Sequence, residues 1–267
     1  IVYCLVRSQK SASVKKRMME KMQFYFGESI LEQMEHRVHV IEGDLSEKYV
    51  GLTAEMQEQL VSKVDTIIHC GGDVRHYGDR DHFEKVNVES TKYLLELSKD
   101  ARARFHYIST VSISGHRPDD PAEFLFSEQD FDRGQQVDNV YVESKFLAEK
   151  LVREAMEEGV PVTVYRVGNL VGHTRDGKFQ QNIEGNAFYR LIKALLLLQK
   201  APDIQTKIDL VPINFASAAI VGLACTEQSK GETFHICNPV QLDWIQFITH
   251  LQQSGYTIEV IRGTEFM

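Results

Sequence analysis

The sequence predicts an α/β protein: a doubly wound parallel sheet with helices on both faces, then a smaller, mostly helical C-terminal lobe. Three observations predict it. Short apolar runs rich in β-branched residues alternate with helix-periodic segments through the first two thirds of the chain. Polar or glycine-rich stretches, "GDL", "HCGGDV" and "STVS", follow three of those runs, at the strand ends where such sheets bind ligands. After Gly172 the alternation stops, and a polar loop leads into a strongly apolar helix.

The elements follow in order. "IVYCLV" reads as a buried strand, "SVKKRMMEKMQFYF" as a helix and "RVHVIEGDL" as the next strand. "TAEMQEQLVSKV" is helical, "DTIIHCGG" a strand ending in glycines, and "NVESTKYLLELSKD" a helix. "RFHYISTVS" is a strand, "NVYVESKFLAEKLV" a helix capped by Asp138 or Asn139, and "VPVTVYRVGNLVG" a strand. Val140, Ser144, Leu147, Ala148, Leu151 and Ala155 form that helix's expected apolar stripe, with Tyr141 and Lys145 beside it. Beyond the loop "HTRDGKFQQNIEGN" come a helix, "AFYRLIKALLLLQK", and two strands, "KIDLVPINF" and "GETFHICN". "QLDWIQFITHLQQSGY" is the final helix. The pattern assigns 1–173 to the sheet domain, with 204–239 returning to it, and 174–203 with 240–267 to the lobe.

Composition excludes several classes. The 267 residues are 43% hydrophobic and 25% charged, as in a globular domain, so no disordered or fibrous reading applies. A net charge of −8 disfavours a nucleic-acid partner. The run "ALLLL" is far short of a membrane span, and Ile1 opens a strand-like run without a signal peptide's charged region. Cys4, Cys70, Cys225 and Cys237 are scattered through apolar segments, which predicts buried thiols in a reducing cytoplasm.

Tyr141 and Lys145 stand one helical turn apart, a spacing that "YRLIK" repeats at Tyr189 and Lys193. The spacing alone is therefore uninformative, and the second pair reads as packing. Around the first pair lie Ser109 and Thr110 at a strand end. A hydroxyl, a phenol and an ammonium so arranged can polarise a carbonyl, the ammonium drawing the phenol's pKa down from about 10. Arg7 closes the first strand, where an acid would contact a ribose 2′-hydroxyl; an arginine there suits a 2′-phosphate. Arg17 on the next helix can add a contact, whereas Lys15 and Lys16 read as a solvated face. Asp44 either faces an adenine or caps the loop before Leu45. Gly71 and Gly72 either admit a cofactor's close approach or form a plain turn. The histidines of "HCGGDVRHYGDRDHF" match no metal-ligand spacing, so no metal is expected. A dinucleotide-binding sheet opens with a strand, a glycine-rich turn and a helix, and none precedes "IVYCLVR". The expectation is that about 30 residues of a βαβ unit lie upstream.

"VYCLVR", "EGDL", "IIHCGGDVRHYG", "NVESTKYLLEL", "HYISTVS", "YVESKFLAEKLV" and "YRVGNLVGHTRDGKFQ" together resemble the terminal thioester reductase domains of nonribosomal peptide synthetases. These are Rossmann-type members of the extended short-chain dehydrogenase/reductase family. The resemblance runs nearly the full chain in the family's motif order. It implies NADPH as cofactor and a carrier protein's phosphopantetheine-linked thioester as substrate, released as an aldehyde or reduced again to an alcohol. It assigns Thr110, rather than Ser109, as the catalytic hydroxyl, Tyr141 as proton donor, and Lys145 as its tuning and ribose-holding cation. It further implies 2′-phosphate contacts at Arg7 and Arg17, an adenine region at Asp44 and Leu45, and a cofactor groove at Cys70, Gly71, Gly72, Asn87 and Gly168. "RVG" replaces the usual "RPG", and Asn214 stands where an aspartate is common.

Two other readings share these features. A nucleotide-sugar epimerase or dehydratase of the same fold would retain tightly bound NAD through turnover. A noncatalytic carrier-docking module would release product normally with Tyr141→Phe.

Overall fold

The computed structural model describes residues 1–8, 13–117 and 125–262; residues 263–267 of the expected lobe lie outside it. The elements begin with β1 (Val2–Val6), α1 (Val14–Phe26), α2 (Ser29–Arg37), β2 (Val38–Glu42), α3 (Ala54–Val61) and β3 (Thr66–His69). A short α4 (Arg80–Phe83) runs through a π-helical turn at Glu84–Glu89 into α5 (Ser90–Ala101). Then come β4 (Arg104–Thr110), α6 (Val140–Glu157), β5 (Val162–Val167) and β6 (Leu170–Val171). The last third holds α7 (Ala187–Leu198), β7 (Lys200–Asp203), β8 (Lys207–Ile208), β9 (Val211–Pro212) and α8 (Ile213–Ala224). It ends with β10 (Thr233–Ile236), β11 (Leu242–Asp243), α9 (Trp244–Gln253) and β12 (Glu259–Arg262).

The central sheet has the order β10-β5-β4-β3, all parallel. Six consecutive buried residues make β5 the centre of the sheet, the pattern of a strand covered on both faces. Phe105, Val162, Val164, Leu94, Leu95, Ala148 and Val152 form the main core between this sheet and α5 and α6. β1 and β2 pair parallel as a separate ribbon, with no pairing to β3 among the described residues. The sheet is thus two pieces where the sequence suggested one, and Val2 on β1 and Ile68 on β3 lie exposed.

The lobe has its own core of Leu195, Ala201, Ile208, Trp244, Phe247, Ile248 and Ile258. Its helices α7 and α9 pack with two short ribbons, β7–β12 parallel and β8–β11 antiparallel. Trp244 buries its ring there and donates its Nε1–H to the Pro202 carbonyl at 2.7 Å.

Four expectations need correction. "KIDLVPINF" is not one strand: β8 and β9 are two residues each, and α8 starts at Ile213. Pro212 holds the extended conformation before it, and the Ala-rich run that follows favours helix. α2 is an additional helix, in a stretch where the sequence pattern marks no element. The thiols are not buried: Cys70 lies just past the end of β3 and Cys225 caps α8, both exposed, while Cys4 and Cys237 are half-buried and free. On α6 the buried face is Val142, Ser144, Lys145, Ala148, Glu149, Val152 and Ala155, and Leu147 is exposed. Asn139 sets that phase by capping the helix, accepting from the Val142 N–H at 3.1 Å. Among the described residues no helix is long and apolar enough to cross a membrane.

α5 ends at Arg102, a non-glycine residue held at φ 51°. Because a left-handed helix cap suits glycine, Arg102→Gly should raise unfolding free energy by about 0.5–1 kcal/mol in urea denaturation.

Candidate active site

The site forms where α6 lies along the carboxyl end of β4. Tyr141, Lys145 and Glu149 are successive turns of one helix face, and they meet Thr110, the Ile108 carbonyl and Ser109 respectively. The Thr110 hydroxyl lies close enough to the Tyr141 phenol to draw on its pKa, and it accepts from the Ser112 N–H at 3.2 Å. Lys145 donates from Nζ to the Ile108 carbonyl at 2.5 Å and stands 4.2 Å over the centroid of the Tyr107 ring. Ser109 is turned away from this pair: its Oγ donates to Glu149 Oε2 at 2.5 Å. The two hydroxyls, of which the family resemblance singled out Thr110, separate into one facing the phenol and one bound to a carboxylate.

Burial dominates the electrostatics. Lys145, 7% exposed, is brought down to about 7 by desolvation, with Glu149 and Cys70 opposing the fall. Tyr141 is raised by burial, and the nearby Thr110 hydroxyl draws it partly back. This corrects the expectation that Lys145 would lower the phenol: the ammonium is spent on a carbonyl and a ring face. Tyr141 is consequently a protonated acid at neutral pH. His69, buried and brought down to about 3 by desolvation and by Lys145, is neutral and bonds Thr91 Oγ1 at 3.0 Å.

The remaining residues read from sequence fall around this centre. Cys70, Gly71 and Gly72 follow β3. A Cβ on Gly71 would sit 2.6 Å from Leu45 Cδ1, and one on Gly72 2.9 Å from Asn87 Oδ1. Gly72 is thus favoured by close approach to the hydrogen-bonded Asn87, whereas the contact at Gly71 is with the movable end of Leu45, and both glycines are exposed. Asn87 is buried at the π-helical turn. It accepts from the Asp73 N–H at 2.7 Å and donates to the Asp73 carbonyl at 3.0 Å and Ser144 Oγ at 2.8 Å, tying the glycine loop to α6. Gly168 follows β5 against Asp209, whose Oδ2 occupies the space that a Cβ would take. Asp44 caps its loop, Oδ1 accepting from the Ser46 N–H at 2.9 Å and from its Oγ at 2.7 Å. The Arg17 guanidinium reaches back to the main-chain carbonyl of Arg7, so both cations share the end of β1. Asn214 bonds Thr174 twice, accepting from its N–H at 3.1 Å and donating to its hydroxyl at 3.2 Å; an aspartate could keep the second bond only with the hydroxyl as donor. Tyr189 and Lys193 form no such centre: the phenol accepts from the Gly172 N–H and Lys193 pairs with the exposed Glu184.

Three residues carry no signal in the motifs and still belong to the site. His76 stacks on Tyr141 with centroids 6.0 Å apart. Glu149 and Arg166 form a fully buried ion pair at 2.7 Å. An arginine inside a strand of otherwise apolar or neutral residues was the available clue, since a buried guanidinium requires a buried acceptor.

Two guanidinium groups at the end of β1, exposed glycines after β3 and an ammonium beside the acid fit the adenosine phosphate, the backbone and the ribose of a dinucleotide. Parallel sheet, strand-end hydroxyl, phenol and ammonium define the class of extended short-chain dehydrogenase/reductase folds. The male sterility protein family of NAD-binding domains matches over residues 1–220, and the chain belongs to that family. A linear gramicidin synthase polypeptide of Brevibacillus parabrevis is 28% identical over all of this chain, which spans 5% of that relative's length. The terminal R domain of the myxalamid PKS-NRPS pathway superposes with a TM-score of 0.86 at 29% identity, covering 99% of this chain and 66% of its own. A thiolation-reductase di-domain from an archaeal non-ribosomal peptide synthetase gives 0.87 at 31% identity, covering 99% and 56%.

The buried lysine makes stability depend on pH. An unfolded lysine keeps its proton to about 10.4, whereas folded Lys145 loses it near 7, so the unfolded chain binds more protons between those values. The stability of the wild type relative to Lys145→Met should therefore rise as pH is raised from about 7 to 9.5. Urea denaturation at stepped pH measures it, and a flat difference would contradict the burial.

Proposed function

We propose that the chain is the NADPH-dependent reductase that releases a peptidyl or acyl thioester from a carrier protein's phosphopantetheine arm as an aldehyde, in the cytoplasm, within a nonribosomal peptide synthetase. The observation that carries this reading is the meeting of Thr110 and Tyr141 at the carboxyl end of a parallel strand, with Lys145 one turn on and bound to the Ile108 carbonyl. Membership of an NAD-binding family and likeness to synthetase reductase domains support it. The thiolation-reductase di-domain supports a carrier protein as partner.

NADPH, when bound, supplies the hydride that reaches the thioester carbonyl carbon. Tyr141 gives its proton to the carbonyl oxygen as that oxygen gains charge, and the Thr110 hydroxyl stabilises the phenolate left behind. Collapse to the aldehyde returns the hydroxyl proton, breaks the carbon–sulfur bond and frees the thiol. The balance is one hydride and one proton consumed, with the thiol as leaving group. Lys145 contributes its ammonium beside the phenol and its reach to the ribose hydroxyls. Arg7 and Arg17 hold the 2′-phosphate, Asp44 and Leu45 border the adenine, and Cys70, Gly71, Gly72, Asn87 and Gly168 line the groove. The sheet domain of 1–173 with 204–239 is the cofactor side, except that β8 pairs with β11 and its Ile208 packs in the lobe core, and 174–203 with 240–267 is the substrate side. The same acid serves a second reduction of the aldehyde to an alcohol.

The test is NADPH oxidation by the full-length polypeptide carrying this segment, supplied with a carrier-loaded thioester. Wild type should consume NADPH and release aldehyde or alcohol; no consumption would sink the reading. Tyr141→Phe should lower kcat by about 10²–10³-fold while NADPH binding, followed by its fluorescence, stays near wild type.

A further inference from the structure

Glu149 and Arg166 are wholly buried, yet the reduction steps use neither. Their surroundings are specific. Ser109, Arg166 and His235 are register partners across β4, β5 and β10, and Glu149 lies on this row from α6. All five guanidinium N–H groups of Arg166 have acceptors. Nε donates to Glu149 Oε1 at 3.0 Å; Nη2 donates to the same oxygen at 2.7 Å and to the Asp130 carbonyl at 2.7 Å. Nη1 donates to the Ser127 carbonyl at 3.2 Å and meets His235 Nε2 at 3.3 Å. The second carboxylate oxygen accepts from Ser109 at 2.5 Å.

Such a pair is seldom retained for stability, because removing two charges from water costs about as much as their attraction returns. Its placement is informative instead. Glu149 stands one turn beyond Lys145, and Ser109 stands between the strand residues that hold Lys145 and face Tyr141. We propose that Glu149 is the positioning residue of the site, acting through Lys145: anchored by Arg166 and Ser109, its fixed negative charge keeps the buried lysine an ammonium bound to the Ile108 carbonyl. This rests on the reductase reading above.

The other groups facing Lys145 cannot take this part. From β3, His69 is neutral, and the Cys70 thiol group is desolvated and keeps its proton although the residue as a whole is exposed. From β4 come the Tyr107 ring and the Ile108 carbonyl, and Tyr107 keeps its proton. Glu149 is the carboxylate that acts on the lysine, and its effect opposes the desolvation that draws Lys145 down.

Two readouts on the full-length polypeptide test the proposal. The first is the alkaline limb of the kcat/KM pH profile. The second is direct NMR titration of Lys145 in ¹³C-lysine-labelled protein, its signal assigned by its loss in Lys145→Arg. Glu149→Gln should move both to lower pH by about one unit and lower the rate at pH 7 about fivefold. Glu149→Asp, which keeps the charge, should restore the titration position. Should Glu149→Gln fail to fold, the paired replacement Glu149→Gln with Arg166→Met removes both buried charges and is expected to move both readouts in the same direction by less, because the guanidinium's opposing charge goes with the carboxylate. A rate loss equal at every pH with an unmoved titration would overturn the proposal, as would wild-type behaviour. If the parent polypeptide never oxidises NADPH, the reductase reading fails, and the NMR titration still decides what Glu149 does to Lys145.

Discussion

α6 presents a charged face to the sheet, and the site depends on how those charges are satisfied. Lys145 and Glu149 are carried into the interior by the same helix that buries Val142, Ala148 and Val152. An unpaired charge there would cost several kcal/mol. Each is instead answered by a group whose position the strands determine: the Ile108 carbonyl for the ammonium, and Ser109 with Arg166 for the carboxylate. A slip of α6 along β4 would break these bonds together, so the helix has one register. That register brings Tyr141 to Thr110.

The same dryness that makes the charges costly makes the site chemically useful. In a low-dielectric setting the phenol stays protonated and the lysine sits close to neutrality, where small changes in surroundings change its charge. Asn87 extends this rigidity to the glycine loop, since one amide holds both Asp73 and Ser144. Acid, cation and glycine loop are thereby fixed relative to one another before any ligand arrives, which is what electrostatic preorganisation requires.

The segment after β6 ties the pieces of the chain together by weaker means. Thr174 bonds Asn214 at the start of α8, Tyr189 of α7 receives the Gly172 N–H, Lys178 donates to the Phe24 carbonyl, and Gln181 donates its N–H to Tyr25 at the end of α1. These contacts are polar and mostly exposed, unlike the dry packing beneath α6. The lobe's separate core follows from this: Trp244, Phe247 and Ile248 pack among themselves and against α7.

Local order was readable in the residues. Alternation of β-branched runs with helical periodicity determined the parallel sheet, because each pattern allows only one way of burying its apolar side. Motif order determined the family, and the strand-end positions of Thr110 and Gly71 followed from it. What no local pattern carried was the phase of α6. Leu147 looks like a core residue and Glu149 like a surface one. Their places are exchanged because Glu149 finds a partner in Arg166, seventeen residues on and one strand away. The pKa directions were equally hidden, since they depend on how much water the fold excludes rather than on which residues are neighbours in sequence. The sequence by itself determined the fold class, the family and the candidate groups for the chemistry. Only the tertiary structure decided what holds the second hydroxyl, Ser109, and how the lysine is charged, because both depend on distances and burial created by packing α6 on β4.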